Sequence, residues 1–157
     1  MHSYNTQLDN YPLWFNGKPE YRILNWRETR NKLKDWPSDL DTIAQLWAKA
    51  PLYNQYLDSE NVDLWPDPWQ LISQGRYCNF AVSLGMLYTI FYTDYPYKDS
   101  MVLQGFRLKN DHNDINLLVC EQGKYVLNYN IGSVVNIQAV ADTATPIYSI
   151  SIHNIKF

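Results

Sequence analysis

The stretch Gly75-Arg76-Tyr77-Cys78-Asn79-Phe80-Ala81-Val82-Ser83-Leu84-Gly85-Met86-Leu87-Tyr88-Thr89-Ile90-Phe91 constrains this chain more than any other. It is the longest apolar run, and Phe80, Leu84, Leu87 and Phe91 recur at helical spacing. That period predicts a helix with one face turned toward a core. Gly75 stands just before the first turn and Cys78 at its entrance. A thiol there lies beside backbone N–H groups that lack intrahelical partners and carry partial positive charge. Both effects favour thiolate over thiol, which suits a nucleophile. A cysteine is also a good small core residue. Cys78 therefore has two readings, and the chain downstream has to separate them.

The remaining composition narrows the choices. A chain of 157 residues with net charge -3 has room for one domain with a real core, and it is a poor match for nucleic acid, whose phosphates need clustered Lys and Arg. Arg22, Arg27, Arg30, Lys32 and Lys34 do cluster, but Glu20, Glu28 and Asp35 interleave with them, as on a solvated helix face. Two cysteines are too few for a disulfide scaffold, and no Cys-x-x-Cys spacing is present. No metal or cofactor is expected, and no Cys78–Cys120 bridge is required. The first residues carry neither a basic nor an apolar leader segment, and the apolar run is too short to span a bilayer. These features predict a soluble protein made in the reducing cytoplasm, with no membrane partner.

Taken in order, residues 1–20 are polar and aromatic without a sustained period and read as an extended arm before a single domain over 21–157. Tyr4, Tyr11, Trp14 and Phe15 on that arm need something to lie against, either its own domain or a neighbouring subunit. A short helix is expected over 23–34. A second follows Trp36-Pro37, with Ser38 as its cap, and Leu40, Ile43, Ala44, Leu46, Trp47 and Ala50 give it an apolar face. Residues 52–57 form another helical turn or an irregular return, and 58–68 a loop. Asp67 or Pro68 opens a short helix that stops at Gly75. Beyond the central helix the period changes to that of strands: 101–108, 114–121, a hairpin turn at 122–124, then 125–129, 133–139 and 146–157. Helices followed by antiparallel strands predict an α+β domain, with the sheet packed on the central helix.

A thiol nucleophile needs a base, and the base needs an orienting group. His112 precedes one strand, and Asn128 closes its hairpin partner. Gly75, Cys78, Phe80 and Ala81 opening a helix, then His112, then Asn128, resemble the transglutaminase-like superfamily within the papain-like fold. The resemblance covers 75–132. It implies Cys78 as nucleophile, His112 as general base and acid, and Asn128 as the orienting group. The chemistry implied is acyl transfer from amides, as in proteolysis, deamidation or cross-linking, on a peptide substrate or protein partner. The backbone N–H of Cys78, with the side chain of Gln74 or Trp69, would serve the oxyanion. Three positions depart from the family pattern: Asp114 replaces an aromatic two residues after the histidine, Asn128 stands where Asp is usual, and Tyr129 replaces the proline that commonly follows it. A second reading keeps the scaffold without catalysis. The segment from Ala50-Pro51-Leu52-Tyr53 to Trp65-Pro66-Asp67-Pro68-Trp69 resembles small proteins of tailed bacteriophages, which implies an assembly role in a virion, with other virion subunits contacted through the arm.

Overall fold

A computed structural model describes residues 8, 10–12, 14–53 and 57–157. Five helices are named here: α1 Pro19–Lys32, α2 Ser38–Trp47, α3 Pro68–Gln74, α4 Asn79–Phe91 and α5 Ile137–Ala141. The strands are β1 Val102–Leu108, β2 Asp114–Cys120, β3 Tyr125–Leu127, β4 Val134–Val135 and β5 Ala144–Ser151. They form one antiparallel sheet in the order β4-β3-β2-β1-β5. This is the α+β arrangement expected from the sequence.

Local chemistry fixes the elements around α4. Asp67 caps α3 by accepting from Gln70 N at 2.8 Å, while Gln70 Oε1 accepts from Asp67 N at 2.9 Å, a reciprocal capping box ahead of Pro68. Gly75 then ends α3 at φ 67°, a left-handed conformation that glycine adopts without strain. An added Cβ there would also meet the Arg22 guanidinium, which is held by a 2.6 Å bond to Ser73 O. The chain next runs extended through Tyr77, whose N–H and C=O bond the 51–53 segment. Cys78 is the N-cap residue of α4, one position outside the helix.

Phe80, Leu84 and Leu87 of α4 are buried as their spacing requires. On β2, Leu118 and Cys120 face this main core, while Leu117 and Val119 face a second cluster with Phe106, Val126 and Val140. The sheet is therefore covered on both faces, which explains why β2 reads as a continuous apolar run and not an alternation. The second cover is α5. Residues 133–139, expected as one strand, divide into β4 and α5 because Asn136 accepts from Gln138 N at 2.9 Å and caps a helix.

One further expectation differs from the structure. Ser38 lies inside α2 and makes no cap bond. Asp39 does the local work, accepting from Lys34 N and Asp35 N at 2.8 Å each and from Thr42 Oγ1 at 3.0 Å. In the N-terminal stretch, Trp14 and Phe15 are buried in the chain's own core against Trp47, at ring distances of 5.6 and 5.2 Å. Tyr11 packs at its edge, whereas Tyr4 falls outside the described residues. Among the described residues no helix is long and apolar enough to cross a membrane.

Candidate active-site region

The start of α4 meets β2 just where β3 ends, and asparagines fill the junction. Asn79, the first residue of α4, accepts through Oδ1 from Asn116 N at 3.1 Å and from Asn116 Nδ2 at 3.0 Å. Asn128 follows β3 and donates through Nδ2 to Ser83 Oγ at 2.9 Å, Asn116 O at 3.0 Å and Asn79 O at 3.2 Å. Ser83 Oγ itself donates to Asn116 O at 2.7 Å. Asn128 has φ 74°, a left-handed conformation that asparagine tolerates better than most residues. That turn takes the backbone out of the ladder after the Leu118↔Leu127 pair. The N–H and C=O of Asn116 would then lack strand partners. Asn79 accepts from the first, and Asn128 with Ser83 donates to the second. A carboxamide offers the same donor and acceptor pair as a peptide group, so the side chains supply the missing rung of the sheet.

Tyr148 completes the junction from the far side. Its hydroxyl donates to Asn116 Oδ1 at 2.6 Å, although β1 lies between β5 and β2. Gly105 is directly opposite both Asn116 and Tyr148. The Tyr148 ring occupies the space where a Cβ at Gly105 would stand. Burial pushes the Tyr148 phenol above its ordinary pKa, so it remains a donor at neutral pH.

Of the residues expected to carry chemistry, Asn128 belongs to this junction. Cys78 is half-buried beside it and makes no cap bond. It lines two clefts that meet around Leu57. One, of about 560 Å³, includes Asn79, Arg107, Asp114, Asn116 and Tyr148, and the other, of about 570 Å³, includes Trp65, Gln74 and Arg76. Gln74 thus shares a cleft with Cys78. Trp69 does not: it turns toward α1, with its ring 5.5 Å from those of Trp26 and Tyr92. His112 is exposed at φ 59° in the β1–β2 turn, its N–H donating to Leu108 O at 3.0 Å. Asn116 lies four positions further on, roughly 13 Å along extended chain at about 3.3 Å per residue. The Arg107–Asp114 ion pair, 2.8 Å, joins the strand ends at that turn. Among the described residues no hydrogen bond joins His112 to Cys78. Cys120 is a free, fully buried thiol, and burial followed by the Glu121 charge raises its pKa far above the usual range.

Asn79, Ser83 and Asn116 escaped the sequence reading. Ser83 sits in the apolar helix and Asn116 inside Ile115-Asn116-Leu117-Leu118-Val119, and a polar side chain within an apolar run must find a partner. That signal was present, but it did not say which partner. Among the described residues, no group of three or more His, Cys, Asp or Glu side chains could hold a metal ion.

No known protein family matches the sequence, and no curated protein matches it. Solved structures do resemble the fold. Calcium-bound Legionella pneumophila LapG superposes with a TM-score of 0.69 at 15% identity, over 94% of this chain and 82% of that one. The same protein in a second structure gives 0.68 at 16% identity, over 94% and 81%. Its EGTA-treated form gives 0.65 at 17% identity, over 93% and 78%. At such identities the likeness is one of fold: the chain has the transglutaminase-like α+β fold, with helices packed on a five-stranded antiparallel sheet.

Proposed function

We propose that this chain is a non-catalytic, peptide-binding version of the transglutaminase-like scaffold. The observation that carries the reading is the asparagine junction. The resemblance noted in the sequence implies a nucleophile at the helix start, a base on the facing strand and an orienter closing the partner strand. Around that meeting point, Asn79, Asn116 and Asn128 bond one another and complete the sheet. A carboxamide has no proton to trade at neutral pH, so this arrangement offers binding groups without a general base. Two of those groups remain free among the described residues, Asn79 Nδ2 and Asn128 Oδ1. Asn79 is exposed at the cleft wall beside Phe80, Ile147 and Tyr148. A donor next to apolar walls suits the backbone of an extended peptide. Cys78 then acts as an ordinary helix-entry residue.

The rival reading, a Cys78–His112–Asn128 acyl-transfer centre, makes the opposite prediction for thiol chemistry. Alkylation by iodoacetamide at pH 6 is compared between wild type and His112→Ala, with the labelled cysteine identified by mass spectrometry. The non-catalytic reading expects slow labelling of Cys78 at the same rate in both proteins, with Cys120 labelled only after unfolding. Fast labelling that disappears in His112→Ala would reveal a thiolate activated by the imidazole and overturn the proposal.

A further inference from the structure

Arg30 was expected on a solvated face of α1, yet it is only 8% exposed. Its guanidinium carbon stands 4.2 Å from the centre of the Trp26 ring, 5.2 Å from that of Tyr92 and 5.8 Å from that of Trp69. No carboxylate pairs with it among the described residues, and its Nε is sealed without a hydrogen-bond partner. Burying a charge is costly unless it is paired. Aromatic faces offset only part of that cost. Burial and then the neighbouring Arg27 work against the protonated form, and Tyr92 offsets them only in part.

We propose that Arg30 and the rings of Trp26, Trp69 and Tyr92 form a recognition site for a carboxylate on an acidic segment of a partner protein. A guanidinium fork matches one carboxylate through two parallel hydrogen bonds, and that match tightens where water is excluded. Trp69 is 39% exposed and gives the site an aromatic rim of the kind enriched at protein interfaces. A carboxylate also suits the charge available. Phosphate recognition draws on larger basic clusters, whereas Lys32 on the same helix pairs loosely with Glu28 at 3.9 Å. The site is separate from the asparagine junction, because Gln70, Ser73 and Gln74 of α3 line a cleft beside Cys78 while Trp69 turns toward α1.

The test uses the full chain with indole N–H resonances assigned by NMR. Three probes are titrated: an acetylated, amidated peptide alternating glutamate with leucine, the same peptide with glutamine for glutamate, and inorganic phosphate. The glutamate peptide should shift the Trp69 indole, and the glutamine peptide should bind roughly tenfold or more weakly, the factor for loss of a charge-assisted hydrogen bond. Arg30→Met keeps an apolar stem of similar length and should lose the response. Arg30→Lys keeps the charge without the fork and should weaken it, which provides the reading if Arg30→Met fails to fold by circular dichroism. The proposal is overturned by no shift with the glutamate peptide, by equal response to the glutamine peptide, or by an unchanged response in the folded Arg30 variants. Phosphate binding as tightly as the glutamate peptide would make this a phosphate site and overturn the acidic-segment assignment.

Discussion

Two polar centres hold this molecule, and they are built by opposite rules. Deep in the helical half, the single hydroxyl of Thr89 accepts from Trp26 Nε1 at 3.0 Å and from Trp47 Nε1 at 3.1 Å, and donates to Gly85 O at 2.7 Å. One donor and two acceptor sites are the full capacity of a hydroxyl. Nothing is left over, and Thr89 is completely buried. At the asparagine junction, three carboxamides and a serine spend only part of their capacity, and Asn79 is exposed at a cleft. A saturated centre fixes the geometry of the core. An unsaturated centre at the surface closes the sheet and still has groups to offer a ligand.

This contrast can be broken first on its rigid side. Trp47→Ala removes a buried ring that packs on Trp14, Phe15 and Tyr77 and should cost about 3–5 kcal/mol in urea unfolding, as large aromatic truncations do. A loss below about 1 kcal/mol would mean that the aromatic cluster is not the centre of the core. Thr89→Val keeps the shape but leaves two buried indole N–H groups without an acceptor. At about 1–3 kcal/mol for each stranded group, the expected loss is about 2–6 kcal/mol. Since both tryptophans depend on one oxygen, Thr89→Val and Trp47→Ala should combine to less than their sum.

The sequence made the scaffold readable because its strongest signals were periodic. The central helix followed from Phe80, Leu84, Leu87 and Phe91, the α3 start from Asp67-Pro68, and the β1–β2–β3 hairpins from apolar runs broken at 109–113 and 122–124. The less periodic parts were harder to read. Trp14 and Phe15 carry no repeat, so their place against Trp47 depends on tertiary packing that no local pattern encodes. At the site, Asn128 was legible as the residue closing a strand. His112 attracted attention by its chemistry, and it sits exposed in the Lys109-Asn110-Asp111-His112 turn, where its one hydrogen bond among the described residues is from its N–H to Leu108 O. Asn116 two residues into β2 contacts the helix, and one residue of register decides which side chain faces the helix start.

On the carboxamide side, Asn128→Asp sharpens the contrast. The substitution replaces a donor with a carboxylate facing Asn79 O and Asn116 O, both acceptors. Ionised, it should cost about 1–3 kcal/mol at pH 7, since Asn79 O loses its side-chain donor and Asn116 O keeps only that of Ser83. Protonated, the new acid can donate again, so its folded-state pKa should lie above its unfolded value near 3.9. Between those two values the folded state binds more protons than the unfolded state, and stability therefore falls as pH rises. Unfolding curves from pH 3 to 7 should show the variant approaching wild type at the acid end and diverging from it toward neutrality. A variant as stable as wild type at pH 7 would mean that the junction accepts a carboxylate, which would favour the acyl-transfer reading.

The smallest effect should come from the Arg107–Asp114 pair at the mouth of the same cleft. The hydrogen bond from Arg107 holds the Asp114 carboxyl below its usual pKa. A depressed folded-state value contributes stability above the unfolded pKa, and that contribution is lost as pH falls through the folded one. Both side chains are about half exposed, so solvent and salt screen the pair and leave little net energy. Asp114→Asn should therefore shift the melting temperature by no more than the scatter between replicate scans, at pH 7 as at pH 3. It should also leave the Asn79–Asn116 contact intact, visible as unchanged side-chain amide resonances for both residues. If those resonances move while stability does not, the ion pair is what aligns β2 against the start of α4. The cleft mouth and the carboxamide junction would then act as one unit, and the division between a rigid centre and an adaptable one would have to be drawn further out, at the β1–β2 turn.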